Sequence, residues 1–140
     1  VDVACVVTDL DGEPHLSTAA REGGPFIVHA HGDNTKTWRK CIDRWATSGG
    51  PRLVLTHQTD EAIPGMHNPG GFTDGDRAAC FLSWLDVPPE KIRWAGFATD
   101  RVGPWSGATD PERKLAKLSW MERVLRCIDA RWDERCLENR

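Results

Sequence analysis

Short apolar segments alternate with amphipathic segments along this chain, and that alternation is the strongest constraint on its fold. Four segments have the character of buried strands, at Val3–Thr8, Phe26–Ala30, Arg52–Thr56 and Ile92–Ala98. Four others favour helices, at Pro14–Glu22, Thr35–Thr47, Asp74–Asp86 and Pro111–Leu137. Strands that alternate with helices form mostly parallel sheets. We therefore predict a single α/β catalytic-type domain over residues 1–140, three-layered and Rossmann-like, with helices on both faces of the sheet.

Apolar residues at helical spacing predict which side of each longer helix is buried. In the second helix they are Trp38, Cys41, Ile42 and Trp45. In the third they are Ala78, Phe81, Leu82 and Leu85. In the last they are Leu115, Leu118, Leu125, Ile128 and Trp132.

Composition and short motifs exclude several classes of protein. The net charge of -3 does not suit a basic nucleic-acid module, and no uninterrupted apolar run exceeds that of Val3–Val7, far too short to span a membrane. Five cysteines without a Cys-x-x-Cys pair indicate reduced thiols in a cytoplasmic protein. P-loop, Gly-x-Gly-x-x-Gly and Gly-x-Ser-x-Gly motifs are all missing from the sequence. The chain begins with Val1 and enters a strand at once, so we expect a natural N-terminal region to be missing.

Acidic side chains follow the predicted strands or open the next helix. Open parallel sheets bind ligands at the carboxyl ends of their strands. Clustered carboxylates repel one another unless a cation is bound, and oxygen ligands suit Mg²⁺. The predicted Mg²⁺ ligands are Asp9, Asp11, Asp33, Asp74 and Asp76.

Simpler roles remain open for the same residues. Asp11 belongs to an Asp-Gly turn pair, while Asn34 or Asp33 can cap one helix and Thr73 or Asp74 the next. A zinc site built from His29, His31 and His57 is a further alternative. The abundance of aspartate and the lack of a cysteine pair argue against it.

Two features outside the strand ends suit a phosphorylated ligand. Gly70 and Gly71 lie in a long loop over His57–Phe72 and leave backbone N–H groups able to approach a phosphate or a flat ring. Lys114 and Lys117 lie one turn apart on the last helix and could neutralise a polyphosphate. A solvated basic face is the simpler interpretation of the two lysines.

Three motifs together resemble one enzyme family. They are Thr8-Asp9-Leu10-Asp11-Gly12, His29-Ala30-His31-Gly32-Asp33-Asn34 and Gly70-Gly71-Phe72-Thr73-Asp74-Gly75-Asp76-Arg77-Ala78. In this order and spacing they resemble the archaeal 6-hydroxymethyl-7,8-dihydropterin pyrophosphokinase family, whose core looks similar to that of thiamine pyrophosphokinase. The resemblance extends from about Val3 to Val124.

The resemblance implies Mg²⁺-dependent transfer of diphosphate from ATP to a pterin alcohol, with release of AMP, in tetrahydromethanopterin or folate biosynthesis. It implies ATP and the pterin as partners, neither nucleic acid nor membrane, and leaves a homo-oligomer open. The catalytic positions it suggests are Asp33, His31 and Asp76, with Asp33 as the acceptor of the hydroxyl proton. The predicted ligand-binding positions are Asn34, Gly71, Thr73, Arg77, Lys114 and Lys117.

The chain departs from the family pattern at its start. Members of the family usually carry a Gly-Pro-Ser-type turn in a region that precedes the first motif, and this chain begins too late to contain it. Two alternatives therefore stay open. One is a metal-dependent sugar transferase of the wider related group, and the other is a non-catalytic fragment that binds a nucleotide or a pterin.

Overall fold

The structure, a computed structural model, describes residues 2–12, 15–103 and 109–137. The chain divides into two compact units, residues 1–68 and 69–140. The prediction of a single domain over residues 1–140 stays a prediction.

The first unit is built from three parallel strands and two helices. Its elements are β1 (Val6–Thr8), α1 (His15–Arg21), β2 (Phe26–His29), α2 (Thr35–Ser48) and β3 (Leu53–Thr56). The strands lie in the order β1-β2-β3, with both pairs parallel. The predicted parallel sheet is therefore confirmed for these three strands.

Both helices of the first unit pack on the same face of its sheet. Phe26 and Val28 project from one face of β2, because alternate residues of a strand share a face. These two side chains form one core cluster with residues of α1 and α2, including Leu16 and Trp45. The Phe26 and Trp45 rings meet edge to face, with centroids 5.6 Å apart. The predicted apolar face of α2 is confirmed, since Cys41 and Trp45 belong to this cluster and Trp38 and Ile42 pack against it.

The second unit contains two longer helices and a small sheet of its own. Its elements are α3 (Asp74–Trp84), β4 (Trp94–Ala95), α4 (Pro111–Ile128) and β5 (Cys136–Leu137), with short 3₁₀ helices at Pro89–Lys91 and Asp133–Arg135. β4 and β5 pair in parallel. Ala79 of α3 packs with Leu118, Met121 and Leu125 of α4 in the core of this unit.

The prediction of a four-stranded core is wrong for the last strand. The expected strand over Ile92–Ala98 has only two paired residues, and they pair with β5, in a segment expected to be helical. The last helix ends at Ile128 because the chain turns at Asp129, whose φ and ψ are extended. Trp132 is nevertheless buried, so helical spacing predicted its burial but not its conformation. A three-layer Rossmann-like arrangement is not confirmed; the described structure is α/β with small parallel sheets.

The predicted buried face of α3 is confirmed at Phe81, which is buried, and at Leu82, which packs against the core, but it is wrong at Leu85. Leu85 lies just beyond the helix and is 54% exposed, whereas Ala79 is fully buried. Leu115 on α4 is also exposed. Apolar spacing alone cannot distinguish neighbouring helix faces when both carry apolar residues.

The sequence predicted reduced cysteines and no membrane-spanning segment. No disulfide joins any of the five cysteines, all of which lie in the described ranges. Burial raises the pKa of the Cys80 thiol to about 11, and the nearby Asp76 carboxylate adds to the effect, so this thiol stays protonated at neutral pH. Among the described residues, every helix is too short or too polar to cross a membrane.

Candidate functional site

The turn after β1 brings two carboxylates together. Leu10 has a positive φ of 74°, which is rare for a bulky side chain, and it is only 1% exposed. Its backbone N–H donates to Thr8 Oγ1 at 2.9 Å, and the N–H of Asp11 donates to Asp9 Oδ1 at 3.2 Å. Because Leu10 is anchored in the core, the flanking Asp9 and Asp11 are held with carboxylate oxygens within 4.8 Å of each other.

This spacing fits a shared hard cation. Mg²⁺ and Ca²⁺ bind oxygen ligands at about 2.0 to 2.6 Å, so two ligands of one ion lie within about 5 Å of each other. Asp9 and Asp11 satisfy that limit. Sequence reasoning identified both aspartates but missed Leu10, whose position between them was the available signal.

His31 connects the turn after β1 with the turn after β2. Its Nε2 lies 3.2 Å from Asp9 Oδ2, and its Nδ1 lies 2.5 Å from Asp33 Oδ1. A neutral imidazole can donate from only one of its two nitrogens. The side chain of Asp33 is 85% exposed, whereas those of His31 and Asp9 are about a quarter exposed. The structure therefore brings together three of the predicted site residues in the first unit, with Asp33 open to solvent.

Asn34 ties the ends of β1 and β2 to each other. Its amide nitrogen donates to the carbonyl of His29 at 2.8 Å and to the carbonyl of Asp9 at 3.0 Å. Its Oδ1 accepts a weaker bond from the backbone N–H of His31 at 3.4 Å. Asn34 is buried, so these bonds form largely out of water. They give Asn34 a positioning function, and its predicted contact with a ligand stays a prediction.

Asn34→Asp should therefore destabilise the protein. The substituted carboxylate cannot donate to the two carbonyls that Asn34 Nδ2 now reaches. We expect a loss of about 2 kcal/mol in the free energy of unfolding, measured by urea denaturation at neutral pH. Asp33→Asn is the matched control, because that neighbouring side chain is 85% exposed. Equal stability of the two variants would contradict the tie between the strand ends.

The three histidines of the zinc alternative serve separate local contacts. His29 Nδ1 lies 3.3 Å from Thr56 Oγ1, and His57 Nδ1 accepts from the backbone N–H of Thr59 at 3.3 Å. His31 faces the carboxylates described above. In the ranges that the structure describes, these histidines do not meet as ligands of one ion.

In the second unit, Asp76 organises the loop that precedes α3. Its Oδ2 accepts from the backbone N–H of Phe72 at 2.8 Å. Its Oδ1 accepts from the N–H of Thr73 at 2.5 Å and from Thr73 Oγ1 at 2.6 Å, which forms a capping box. Asp76 is fully buried. These bonds assign it a positioning function, and its predicted metal ligation and catalytic function stay predictions, as does ligation by Asp74.

Arg77 holds the two glycine carbonyls of the same loop. Its Nη1 donates to Gly70 O and its Nη2 to Gly71 O, each at 3.0 Å. Burial lowers the pKa of the guanidinium, while the charges of Asp76 and Asp74 act in the opposite direction. Thr73, Asp76 and Arg77 thus fix the conformation of the loop. The ligand contacts predicted for Gly71, Thr73 and Arg77 are not tested by this geometry.

The two lysines on α4 lie at or near the protein surface. Lys114 is half-buried and Lys117 is exposed, both in the first turns of the helix. Neither forms an ion pair within residues 2–12, 15–103 and 109–137. Their charges are therefore open to an external anion.

Three curated archaeal relatives of this chain share the name 6-hydroxymethyl-7,8-dihydropterin pyrophosphokinase. The relative from Methanothermobacter thermautotrophicus is 32% identical over 93% of this chain and 56% of its own length. The relative from Pyrococcus furiosus is 39% identical over 72% of this chain and 40% of its own length. That from Methanocaldococcus jannaschii is 36% identical over 56% of this chain and 32% of its own length. The resemblance carried by the three sequence motifs is therefore confirmed.

The match covers only part of each relative. This chain spans about half the length of the Methanothermobacter protein, and less of the other two. No protein-family model matches the chain. No solved structure matches it either.

Proposed function

The chain is a homologue of the archaeal 6-hydroxymethyl-7,8-dihydropterin pyrophosphokinases, and we propose that it transfers diphosphate from ATP to the hydroxymethyl group of that pterin. AMP is the second product, and the reaction serves methanopterin or folate biosynthesis. The observation that carries the proposal is the paired carboxylates of Asp9 and Asp11, inside a motif shared with the named family. Diphosphate transfer needs charge neutralisation and positioned oxygens more than covalent catalysis, and a cation held by this turn would supply the first requirement.

The cation that we propose is Mg²⁺, with Asp9 and Asp11 as ligands. When bound, it would neutralise charge on the phosphates and polarise their oxygens. We propose Asp33 and Asp74 as further ligands of the ion. Asp76 is also a proposed ligand, on the basis of the family resemblance. His31 donates toward Asp9 Oδ2 and so fixes the orientation of that carboxylate.

Proton transfer in the proposed reaction falls to Asp33. The pterin hydroxyl oxygen forms a bond to the β-phosphorus, the bond from that phosphorus to the α,β-bridging oxygen breaks, and AMP leaves with the electron pair. The hydroxyl proton passes to the exposed carboxylate of Asp33, whose Oδ1 lies 2.5 Å from His31 Nδ1. Asp33→Asn should then slow the formation of pterin diphosphate.

Lys114 and Lys117 supply positive charge for the triphosphate. Lys114→Ala or Lys117→Ala should each raise the Kd for ATP by roughly tenfold, about 1.4 kcal/mol, without unfolding the protein. Lys91→Ala is the control, because that exposed lysine ends the short helix at Pro89–Lys91 and lies in none of the three motifs. Isothermal titration with a non-hydrolysable ATP analogue measures the effect. A change below twofold in both variants would remove the lysines from the site.

The activity itself is tested with purified chain, ATP, Mg²⁺ and the reduced pterin under anaerobic conditions. Phosphorus NMR should show equal amounts of AMP and a pterin diphosphate. Nucleotide-sugars replace ATP in a parallel reaction, because a sugar transferase would consume them instead. ADP as the product, or turnover only with nucleotide-sugars, would refute the proposed reaction.

A non-catalytic binding function has one observation in its favour. The chain spans 56% of the Methanothermobacter relative, so a binding portion without the complete catalytic apparatus is the second candidate. It predicts that the chain binds ATP or pterin by calorimetry and forms no pterin diphosphate.

A further inference from the structure

Two exposed aromatic rings on the second unit lie together beside an arginine side chain. Phe72 is 49% exposed and Trp120 is 51% exposed, with ring centroids 6.4 Å apart. The guanidinium carbon of Arg123 lies 4.5 Å from the centre of the Trp120 ring. We call Phe72, Trp120 and Arg123 the aromatic patch.

The patch is held in place by buried groups. The backbone N–H of Phe72 donates to Asp76, which is fully buried, and the preceding carbonyl of Gly71 accepts from the buried Arg77. Trp120 lies on α4 next to Met121, which is buried in the core of the second unit. Both rings are therefore presented to solvent by ordered backbone. Exposed aromatic rings held in this way are typical of ligand or partner sites.

Arg123 adds a positive charge that no carboxylate neutralises within the described part of the chain. It is exposed and forms no ion pair within residues 2–12, 15–103 and 109–137. A guanidinium can stack on a ring with its flat face and still donate to a phosphate from its edge. A ligand that satisfies the whole patch therefore carries both a flat ring and a phosphate.

An apolar cavity of the first unit has the opposite chemistry. Its volume is about 160 Å³, and its lining is apolar or aromatic, with Leu10, Val28, Trp38 and Met66 among the contributors. A purine or pterin placed there would leave its ring nitrogens without partners, which is costly. The cavity is therefore a poor site for either heterocycle.

We propose that the aromatic patch binds a phosphorylated nitrogen heterocycle, stacked on Phe72 and Trp120 with its phosphate on Arg123. This inference rests on the proposed function, which supplies two such molecules. One is the purine nucleotide, as ATP or AMP, and the other is the pterin diphosphate product. The nucleotide is the ligand we assign to the patch, because it carries phosphate both before and after the transfer.

The test is calorimetric titration of the whole chain with AMP. Trp120→Ala and Phe72→Ala should each raise the Kd for AMP by about tenfold, in line with the loss of one base–aromatic stack. Arg123→Gln should weaken the binding of AMP and leave the affinity for adenosine unchanged, because adenosine has no phosphate. Trp84→Ala is the matched control. Trp84 is also 49% exposed, and its ring centroid lies 5.8 Å from that of another phenylalanine, Phe81. It should change the Kd by less than twofold.

Several results would overturn the inference. The first is a failure of the unmodified chain to bind AMP. The second is equal AMP affinity in the patch variants and the control. The third is patch-dependent binding of pterin diphosphate that is stronger than that of AMP. Sedimentation of the same variants tests whether a second copy of the chain occupies the patch instead. If Trp120→Ala dissociates an oligomer without changing AMP affinity, the patch is a contact between copies and the inference fails.

The outcomes for the patch and for the proposed function can be separated. Pterin diphosphate formation with an unchanged ATP requirement in the patch variants would refute the inference and leave the function standing. Patch-dependent AMP binding without pterin diphosphate formation would support the inference and refute the function as a catalytic activity.

Discussion

Asp9→Asn should slow diphosphate transfer by two orders of magnitude or more, about 3 kcal/mol of lost transition-state stabilisation. The substitution keeps the size of the side chain and removes its charge, so a cation would lose one of its two closest carboxylates in the turn after β1. The His31 ring would also lose the charged partner of its Nε2. Turnover at saturating Mg²⁺ measures the rate, and Mn²⁺ binding followed by electron paramagnetic resonance measures metal affinity without turnover.

Asp43→Asn is the matched control for that experiment. Asp43 is an exposed aspartate on α2 of the same unit, so its substitution makes the same change in net charge away from the turn. We expect wild-type turnover and Mn²⁺ affinity from the control. An Asp9→Asn variant that binds Mn²⁺ as tightly as the control would place the ion elsewhere.

The sequence was sufficient to predict the first unit almost element by element. The segments predicted for β2 and α2 differ from the observed Phe26–His29 and Thr35–Ser48 by one residue at one end. The reason is local agreement, because the apolar face of α2, the turn at Gly49 and the short apolar strands all indicate the same structure.

The second unit was harder to predict because its pairing is not local. β4 has only two residues, and its partner, Cys136–Leu137, lies about forty residues further along the chain. Apolar spacing continued through Trp132, but the helix had already ended at Ile128. A periodic pattern records burial, and a buried side chain in a turn contributes to it as well as one in a helix.

The candidate site shows a similar division. Acidic residues at strand ends were visible from the sequence, and so were Asn34, Asp76 and Arg77. What the sequence could not supply was the direction of each side chain. The structure turns Asn34 toward backbone carbonyls, Asp76 toward backbone N–H groups, and Arg77 toward Gly70 and Gly71. Ligand-binding motifs contain residues that shape the backbone as well as residues able to meet a ligand, and residue type alone does not separate them.

The glycines held by Arg77 provide the sharpest test of this shaping function. Gly70 and Gly71 have nearly the same positive φ, 93° and 94°, so alanine is strained at both. Among the described residues, a Cβ at Gly70 would meet Cys80 alone, with Sγ at an ordinary 3.5 Å and Cβ at 3.9 Å. A Cβ at Gly71 would lie 2.5 Å from Arg77 Cα and 2.7 Å from Arg77 N, and these backbone atoms cannot move aside by a rotamer change.

Gly71→Ala should therefore be far more damaging than Gly70→Ala. We expect Gly70→Ala to lower the free energy of unfolding by about 1 to 2 kcal/mol, the cost of the strained backbone alone. Gly71→Ala should lower it by about 3 to 5 kcal/mol, because the clash is added to the same strain. Urea denaturation of both variants isolates the steric contribution as their difference. A difference below about 0.5 kcal/mol would mean that the loop can separate from α3 at little cost, and that Arg77 does not hold it in a single conformation.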